Sequence, residues 1–227
     1  MPEFDLDHCA LRDVNSALHE ASKEAANAWV ISNPRGTHAL AAGVDAPINI
    51  TIEGNVGYYC AGMNKQADIT IDGSAGVGVA ENMMSGRVHV KGDASQAAGA
   101  TAHGGLLIID GDASARCGIS LKGADIVVKG SIGHMSAFMA QAGNIVVLGD
   151  AGDALGDSIY EAKLFVRGKV KSLGADCIEK EMTDVNIELL TSLLAKAGIE
   201  DVSASEFKRY GSARKLYNFK VDNALSY

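Results

Sequence analysis

The sequence predicts an all-β solenoid, a right-handed parallel β-helix of about seven 19-residue coils with short helical caps at both ends. Its first support is a strand-like tripeptide, one further residue and a glycine that recur seven times, with successive glycines 19 residues apart. The glycines are Gly54, Gly73, Gly92, Gly111, Gly130, Gly149 and Gly168. A second support is composition, because 26 of 227 residues are glycine and only 5% are aromatic. Such a chain favours a fold that turns often on glycine.

The pattern within each coil is the third support. Positions are counted from the repeat glycine as zero, and the coils are numbered 1 to 7 in chain order. Positions −4 and −2 are Ile, Val or Leu in every coil, and position +2 is always apolar. Alternation with a period of two is typical of a strand with one buried face, and a repeat near 20 residues indicates a solenoid. The leucine-rich pattern is absent, and Gly62 and Glu81 break a hexapeptide code.

Two positions of the coil carry small residues, which we interpret differently. The glycine at position zero is expected to allow a sharp bend after the strand. Position +7 is Gly or Ala in all seven coils. We therefore expect backbone to pass close to backbone at position +7.

The flanking segments are expected to cap the rod, because its open ends would template further strands. We predict an N-terminal cap at 1–46, with a helix in 13–28 and a degenerate coil at 29–43, then a β-helix domain at 47–181. Residues 182–227 would form a helix that begins near Asp184 and stops at Gly198, followed by an arm laid on the rod or on a partner. The buried helix face is expected to comprise Ile187, Leu190, Leu194 and Ala197.

Composition and motifs exclude several functions. The net charge of −8 argues against a nucleic-acid surface. The sequence shows neither a signal peptide nor a long apolar run, so we expect a cytoplasmic protein. The four cysteines lack CxxC spacing and the six histidines lack HExxH spacing, which predicts buried thiols and no metal site. No dinucleotide or phosphate loop is present, so we expect no cofactor on this chain.

The outward position −3 changes character along the chain. It is polar in coils 1 to 3 and apolar in the last four, where it is Ile108, Val127, Val146 and Phe165. We expect this stripe to be covered in the native assembly, either by the chain's own C-terminal helix or by another subunit. His103 and His134 are predicted to lie on coil turns. Each is either a hydrogen-bonded turn residue or a residue that takes part in proton transfer or in an interface. Methionines near the coil corners are core residues or an adaptable docking edge.

The repeated coils resemble the GXGXG domain of the glutamate synthase large subunit, which also occurs in a subunit of formylmethanofuran dehydrogenase. A closer similarity, over nearly the whole chain, is to the small GXGXG subunit of bacterial N-methylglutamate synthase. The segments that carry it are 33–36, 57–65, 80–86, 98–105, 133–143, 156–162, 173–181 and 209–214. Arg209 and Tyr210 in the last segment are candidates for a partner interface.

The resemblance implies a scaffold subunit without catalytic residues. It would join a class II glutamine-amidotransferase-like subunit to an FMN-containing glutamate synthase-like subunit with an iron–sulfur cluster. The complex would convert methylamine and L-glutamate to N-methyl-L-glutamate. Alternatives are a scaffold in an ammonia-using glutamate synthase-like or formylmethanofuran dehydrogenase-like complex, and a stand-alone β-helix carbohydrate-active enzyme. The last would need clustered outward charges, whereas the outward residues at position −1 are mixed in sign.

Overall fold

One 11-stranded sheet runs the length of the computed structural model, which describes residues 2–21 and 28–214. The elements are β1 (Glu3–Asp5), α1 (Leu11–His19), β2 (Ala28–Ser32), β3 (Asn49–Glu53), β4 (Asp68–Ile71), β5 (Arg87–Val90), β6 (Leu106–Ile109), β7 (Lys122–Val128), β8 (Ala142–Val147), β9 (Lys163–Val166), β10 (Cys177–Lys180), α2 (Asp184–Lys196), a 3₁₀ turn (Ala204–Glu206) and β11 (Lys208–Ser212). Parts of the predicted N-terminal helix and of the arm lie outside the described residues.

The strands stack in the order of the chain from β1 to β9, and all of these neighbours are parallel. From β3 to β9, residues 19 positions apart pair with each other, as Ile50 does with Ile69, except that Lys122 pairs with Ala142 across an irregularity in β7. A second line of parallel bridges joins the residues at position +2, from Val56 to Val170. The predicted parallel β-solenoid is therefore confirmed, and β2 forms the strand of a further coil ahead of the seven.

Side chains at position +1 tie each coil to the next on the solvent side. The Asp93 Oδ1 accepts a hydrogen bond from the Asp112 amide at 2.8 Å, and the Asp112 Oδ1 accepts one from Ser131 at 2.7 Å. The same link recurs from coil 1 to coil 7, with Asn55, Ser74, Asp93, Asp112, Ser131 and Asp150 as acceptors. This ladder pairs main-chain N–H groups and fixes the register between coils.

The structure gives a different physical reason for the small residues at positions zero and +7. The chain bends at each of the seven repeat glycines, as expected, but only Gly54 has a positive φ, so a left-handed backbone is not what requires glycine at position zero. A Cβ on Gly73 would lie 2.5 Å from the carbonyl carbon of Gly54, so stacked backbones require glycine there. At position +7, Gly118 has a φ of +65° and an added Cβ would lie 2.4 Å from the Ile145 Cδ1. A left-handed backbone packed against a core side chain, rather than a second backbone, restricts this position.

Helix α1 closes the N-terminal end of the solenoid. Asn15 donates from Nδ2 to the Ala39 carbonyl and accepts from the Ala41 amide, both at 2.9 Å. The His19 Nε2 lies 2.7 Å from the Ala42 carbonyl oxygen. These side chains replace the hydrogen bonds that a preceding coil would make.

The C-terminal end is built differently. Strand β11 pairs antiparallel with β9 and lies between β9 and β10, so β10 becomes the last strand of the sheet. Helix α2 connects β10 to β11 and lies on the side of the sheet. No helix in the described part of the chain is long and apolar enough to cross a membrane.

Candidate functional site

The apolar stripe at position −3 is covered by this chain itself. Its four residues, Ile108, Val127, Val146 and Phe165, are fully buried in one cluster with residues of α2 and of the segment that follows it. Leu190, Leu193 and Leu194 supply most of the cover from α2. The stripe is therefore not available to a partner, and its assignment as partner-interface candidates is corrected. The physical reason is that the α2 leucines already remove this face from water.

The face of α2 that packs on the sheet differs by one residue from the predicted one. Leu193 is buried, whereas Ile187 is 37% exposed. The helix starts after Thr183, whose Oγ1 accepts a hydrogen bond from the Asn186 side chain at 2.7 Å. Gly198, with a φ of +70°, follows the end of the helix as expected.

Arg209 and Tyr210 lie in β11 and serve the fold. The Tyr210 side chain is buried in the interior core, and burial raises the pKa of its hydroxyl. Arg209 is partly buried, which lowers its pKa, and its Nε donates to the Glu181 carbonyl at 3.0 Å. The burial of Tyr210 removes it as a partner-interface candidate, and Arg209 is hydrogen-bonded to the residue that follows β10.

His103 and His134 lie on different edges of the coil, at positions +11 and +4. Both side chains are exposed, and neither ring makes a hydrogen bond within the described residues. The structure therefore does not bring them together, and it gives no support to the interpretation as hydrogen-bonded turn residues. They remain accessible surface groups.

A polar cluster that the sequence analysis missed lies where the apolar stripe begins. His89 is 7% exposed, and its Nε2 lies 2.9 Å from the Asp110 Oδ1. The Lys129 Nζ lies 2.8 Å from the same oxygen. Burial by itself would raise the pKa of Asp110, but the hydrogen bonds from Lys129 and His89 outweigh it and hold the pKa below its usual value. His89 occupies position −3 of one coil and Asp110 occupies position −1 of the next. The two are 21 residues apart, a spacing that a motif search does not test.

The chemistry open to this cluster is limited. The Asp110 carboxylate is contacted by both His89 and Lys129. The Arg87 Nη2 lies 3.5 Å from the Nδ1 of His89. No serine, threonine or cysteine is hydrogen-bonded to His89 in the described part of the chain. The cluster therefore joins three coils and presents no nucleophile next to a base.

The cysteines and other potential metal ligands are dispersed. Cys60 and Cys117 are fully buried, and burial raises the pKa of each thiol to about 12. Burial also raises the pKa of Cys177 to about 11. Thiols with such pKa values are protonated at neutral pH and are poor nucleophiles. Over the described residues, no group of three His, Cys, Asp or Glu side chains is arranged to hold a metal ion.

The methionines of the coil corners divide into two groups. Met83 is fully buried, whereas its neighbour Met84 is 47% exposed. Met63 and Met139 are also exposed, at 48% and 39%. Both alternatives, core filling and an exposed edge, thus occur along the same side of the coil.

The described residues define a parallel β-solenoid whose outer sheet face is half covered by its own helix. No family model matches this sequence. The sequence is 62% identical to Protein GlxC of Rhizobium meliloti (strain 1021), and the match covers 100% of both chains. The chain therefore belongs to the GlxC family.

Proposed function

We propose that this chain is a non-catalytic scaffold subunit of a glutamate synthase-like complex, namely N-methylglutamate synthase. The complex forms N-methyl-L-glutamate from methylamine and L-glutamate. In this proposal the chain joins a class II glutamine-amidotransferase-like subunit to an FMN-binding synthase-like subunit with an iron–sulfur cluster. The catalytic groups and cofactors belong to those partners.

The observation that carries the proposal is the uninterrupted stack of coils. Eight strands, β2 to β9, stack in parallel and in sequence order, which corresponds to a length of about 34 Å. The interior forms one continuous apolar core, and the +1 ladder links every repeat to the next. Such a body is suited to hold two partners at a fixed separation.

The polar side chains support a scaffold rather than an enzyme. Asp110 is bound by His89 and Lys129, and Arg167 pairs with Glu206 at 2.8 Å. Asp110 and Arg167 both occupy the outward position −1, and both therefore already have partners. A carbohydrate-active site needs carboxylates that are free to act on the substrate, and Asp110 is already bound by two side chains of this chain.

The test is to purify the tagged chain from its native host and to identify what comes with it. We expect a yellow complex with two larger subunits that forms N-methylglutamate from glutamate and methylamine, and a colourless, inactive chain when it is expressed alone. A complex that uses ammonia and not methylamine would contradict the substrate assignment and keep the scaffold role. A chain that arrives without partners, or that is active alone, would contradict the proposal.

A substitution on the exposed coil edge gives a second test. His103→Ala is expected to leave turnover of the intact complex within about threefold of the unmodified complex, because a surface group of a scaffold does not touch the reacting atoms. A loss of about a thousandfold in a complex of normal composition would make His103 a catalytic residue.

A further inference from the structure

Strand β2, near the N-terminal end of the solenoid, has the composition of a strand that pairs with another chain when its edge is open. Its five residues, Ala28–Ser32, carry no charge and include Trp29, Val30 and Ile31, residue types with a high preference for strands. One edge of β2 pairs with β3 over all five residues. The other edge would be a place of edge-to-edge association if nothing blocked it.

Strand β1 occupies that other edge and has the opposite character. It is three residues long, follows Pro2 and contains the acidic residues Glu3 and Asp5. It pairs in parallel with residues 30–32, and among the described strands it is the terminal one of the sheet. Short length, charge and a neighbouring proline are features by which proteins keep a sheet edge from pairing with another chain.

Side-chain contacts hold β1 on β2. The Phe4 ring stacks on the Trp29 indole, with ring centroids 6.0 Å apart and an interplanar angle of 5°. The Asn33 Nδ2 donates to the Asp5 Oδ1 at 2.8 Å. This hydrogen bond, together with those from the Asp7 amide and His8, lowers the pKa of the Asp5 carboxyl to about 2. The carboxylate is therefore ionised at neutral pH and holds the strand through its charged form.

Helix α1, which follows β1 in the chain, is anchored separately. Its Val14 and Leu18 side chains are fully buried in the interior core. Asn15 and His19 contact main-chain groups of residues 39–42. Release of β1 therefore does not require release of the helix that closes the end of the solenoid.

We propose that β1 is an autoinhibitory strand, which blocks the edge of β2 against antiparallel pairing with β2 of a second copy of this chain. Charge selects this occupant, because two copies of β2 meet without any charged residue, whereas two copies of β1 bring Glu3 and Asp5 close to like charges. An antiparallel pair centred on Val30 sets Trp29 opposite Ile31 of the second copy, an aromatic and β-branched pair of the kind that stabilises sheets. Such a pair is two-fold symmetric and closes on itself.

The experiment releases β1 in the full-length chain by combining Phe4→Ala with Asp5→Ala, which removes the ring stack and the hydrogen bond from Asn33. Trp29 is the only tryptophan of the sequence, so its fluorescence reports on this edge alone. At low protein concentration we expect iodide to quench it at least about threefold more strongly than in the unmodified chain. At higher concentration, sedimentation should show a dimer with a Kd at least about tenfold lower than that of the unmodified chain. Arg12→Ala, a matched change of an exposed residue in the same segment, should alter neither measurement.

A second substitution tests where the two copies meet. Val30→Lys, added to the released variant, places like charges at the centre of the pair and should return the chain to a monomer. Val30→Thr at the same position should leave the dimer intact, because threonine also favours strands. A dimer that persists with Val30→Lys would lie elsewhere on the molecule and would overturn the proposal.

The remaining outcomes also decide. A released variant that stays monomeric with an accessible Trp29 would show that the edge does not bind a second copy. If Trp29 stays shielded, a variant combining Glu3→Gly, Phe4→Gly and Asp5→Gly repeats the test, and shielding there too would show that these side chains do not hold the strand. Loss of the far-UV circular dichroism signal in both variants would make β1 part of the folding core. An unmodified chain that already dimerises, and that Val30→Lys dissociates, would show that β1 does not block the edge. Each of these results overturns the autoinhibitory role, whereas the scaffold function is tested separately by co-purification.

Discussion

The outer face of the sheet has two halves that differ in chemistry and in cover. In coils 4 to 7 position −3 is apolar, and α2 buries all four side chains completely. In coils 1 to 3 the same position holds Thr51, Thr70 and His89, and the two threonines remain partly exposed. The interior beneath both halves is the same continuous core. The coil fold therefore does not need the cover, and the cover follows from the residues at a single outward position.

The boundary between the halves is marked by a paired polar side chain. Residue His89 lies opposite Ile108 across neighbouring strands, so the face changes from imidazole to aliphatic within one coil. The Asp110 Oδ1 lies 2.9 Å from the Nε2 of His89, so the buried histidine at this boundary has a hydrogen-bond partner. The free half is left as a polar surface with both signs of charge.

The largest difference between the halves is expected from the same substitution made in each. Val127→Lys would place an ammonium under α2 and should destabilise the chain by about 3–5 kcal/mol. Thr70→Lys would place it on the partly exposed half, between Asp68 and Asp72, and should change stability by less than about 0.5 kcal/mol. Urea unfolding measures both, and hydrogen exchange of α2 shows whether the helix is released in the Val127 variant. Equal losses in the two variants would show that the halves are not covered differently.

A smaller difference is expected between two residues of α2. Leu194 is 2% exposed, so Leu194→Ala should cost about 2–4 kcal/mol. Ile187 is 37% exposed, and Ile187→Ala should cost less than about 1 kcal/mol. Thermal and urea unfolding of both variants test which face of the helix packs on the stripe. A larger loss for Ile187 would favour the face predicted from sequence over the observed one.

The solenoid could be predicted because its determinants are periodic. Residues at −4 and −2, such as Ile50 and Ile52, repeat every 19 positions and are buried as expected. The apolar stripe could also be recognised from the sequence. Val127 and Phe165 are apolar at an outward position that is expected to be polar when it faces solvent. What covers the stripe could not be derived, because a helix of the chain and a helix of a partner bury the same area.

Features that depend on the direction or position of one segment could not be predicted from the sequence. The antiparallel insertion of β11 between β9 and β10 leaves no periodic signal, so a helical C-terminal cap was expected where strands close the sheet. The capping role of Asn15 requires knowledge that α1 lies across the first coil. The glycine of each repeat was recognised, but its cause depends on the distance between stacked backbones, which a sequence does not contain.

The smallest expected difference concerns the carboxylates on either side of the boundary. Asp110 and Asp72 both occupy position −1, but only Asp110 is bound by His89 and Lys129, whereas Asp72 has no ion pair among the described residues. Asp110→Asn should therefore lower stability by about 1 kcal/mol at pH 7, and Asp72→Asn should leave it nearly unchanged.

The pH dependence separates the charge of Asp110 from its shape. Since the folded pKa of Asp110 lies below its ordinary value, its ionised form stabilises the fold above about pH 4. That contribution is lost as the pH falls through the folded pKa. The deficit of Asp110→Asn, measured by urea unfolding, should therefore be full at pH 7 and shrink toward pH 3. A deficit that stays constant across this range would show that the carboxylate acts through packing, and that the boundary between the two halves does not depend on its charge.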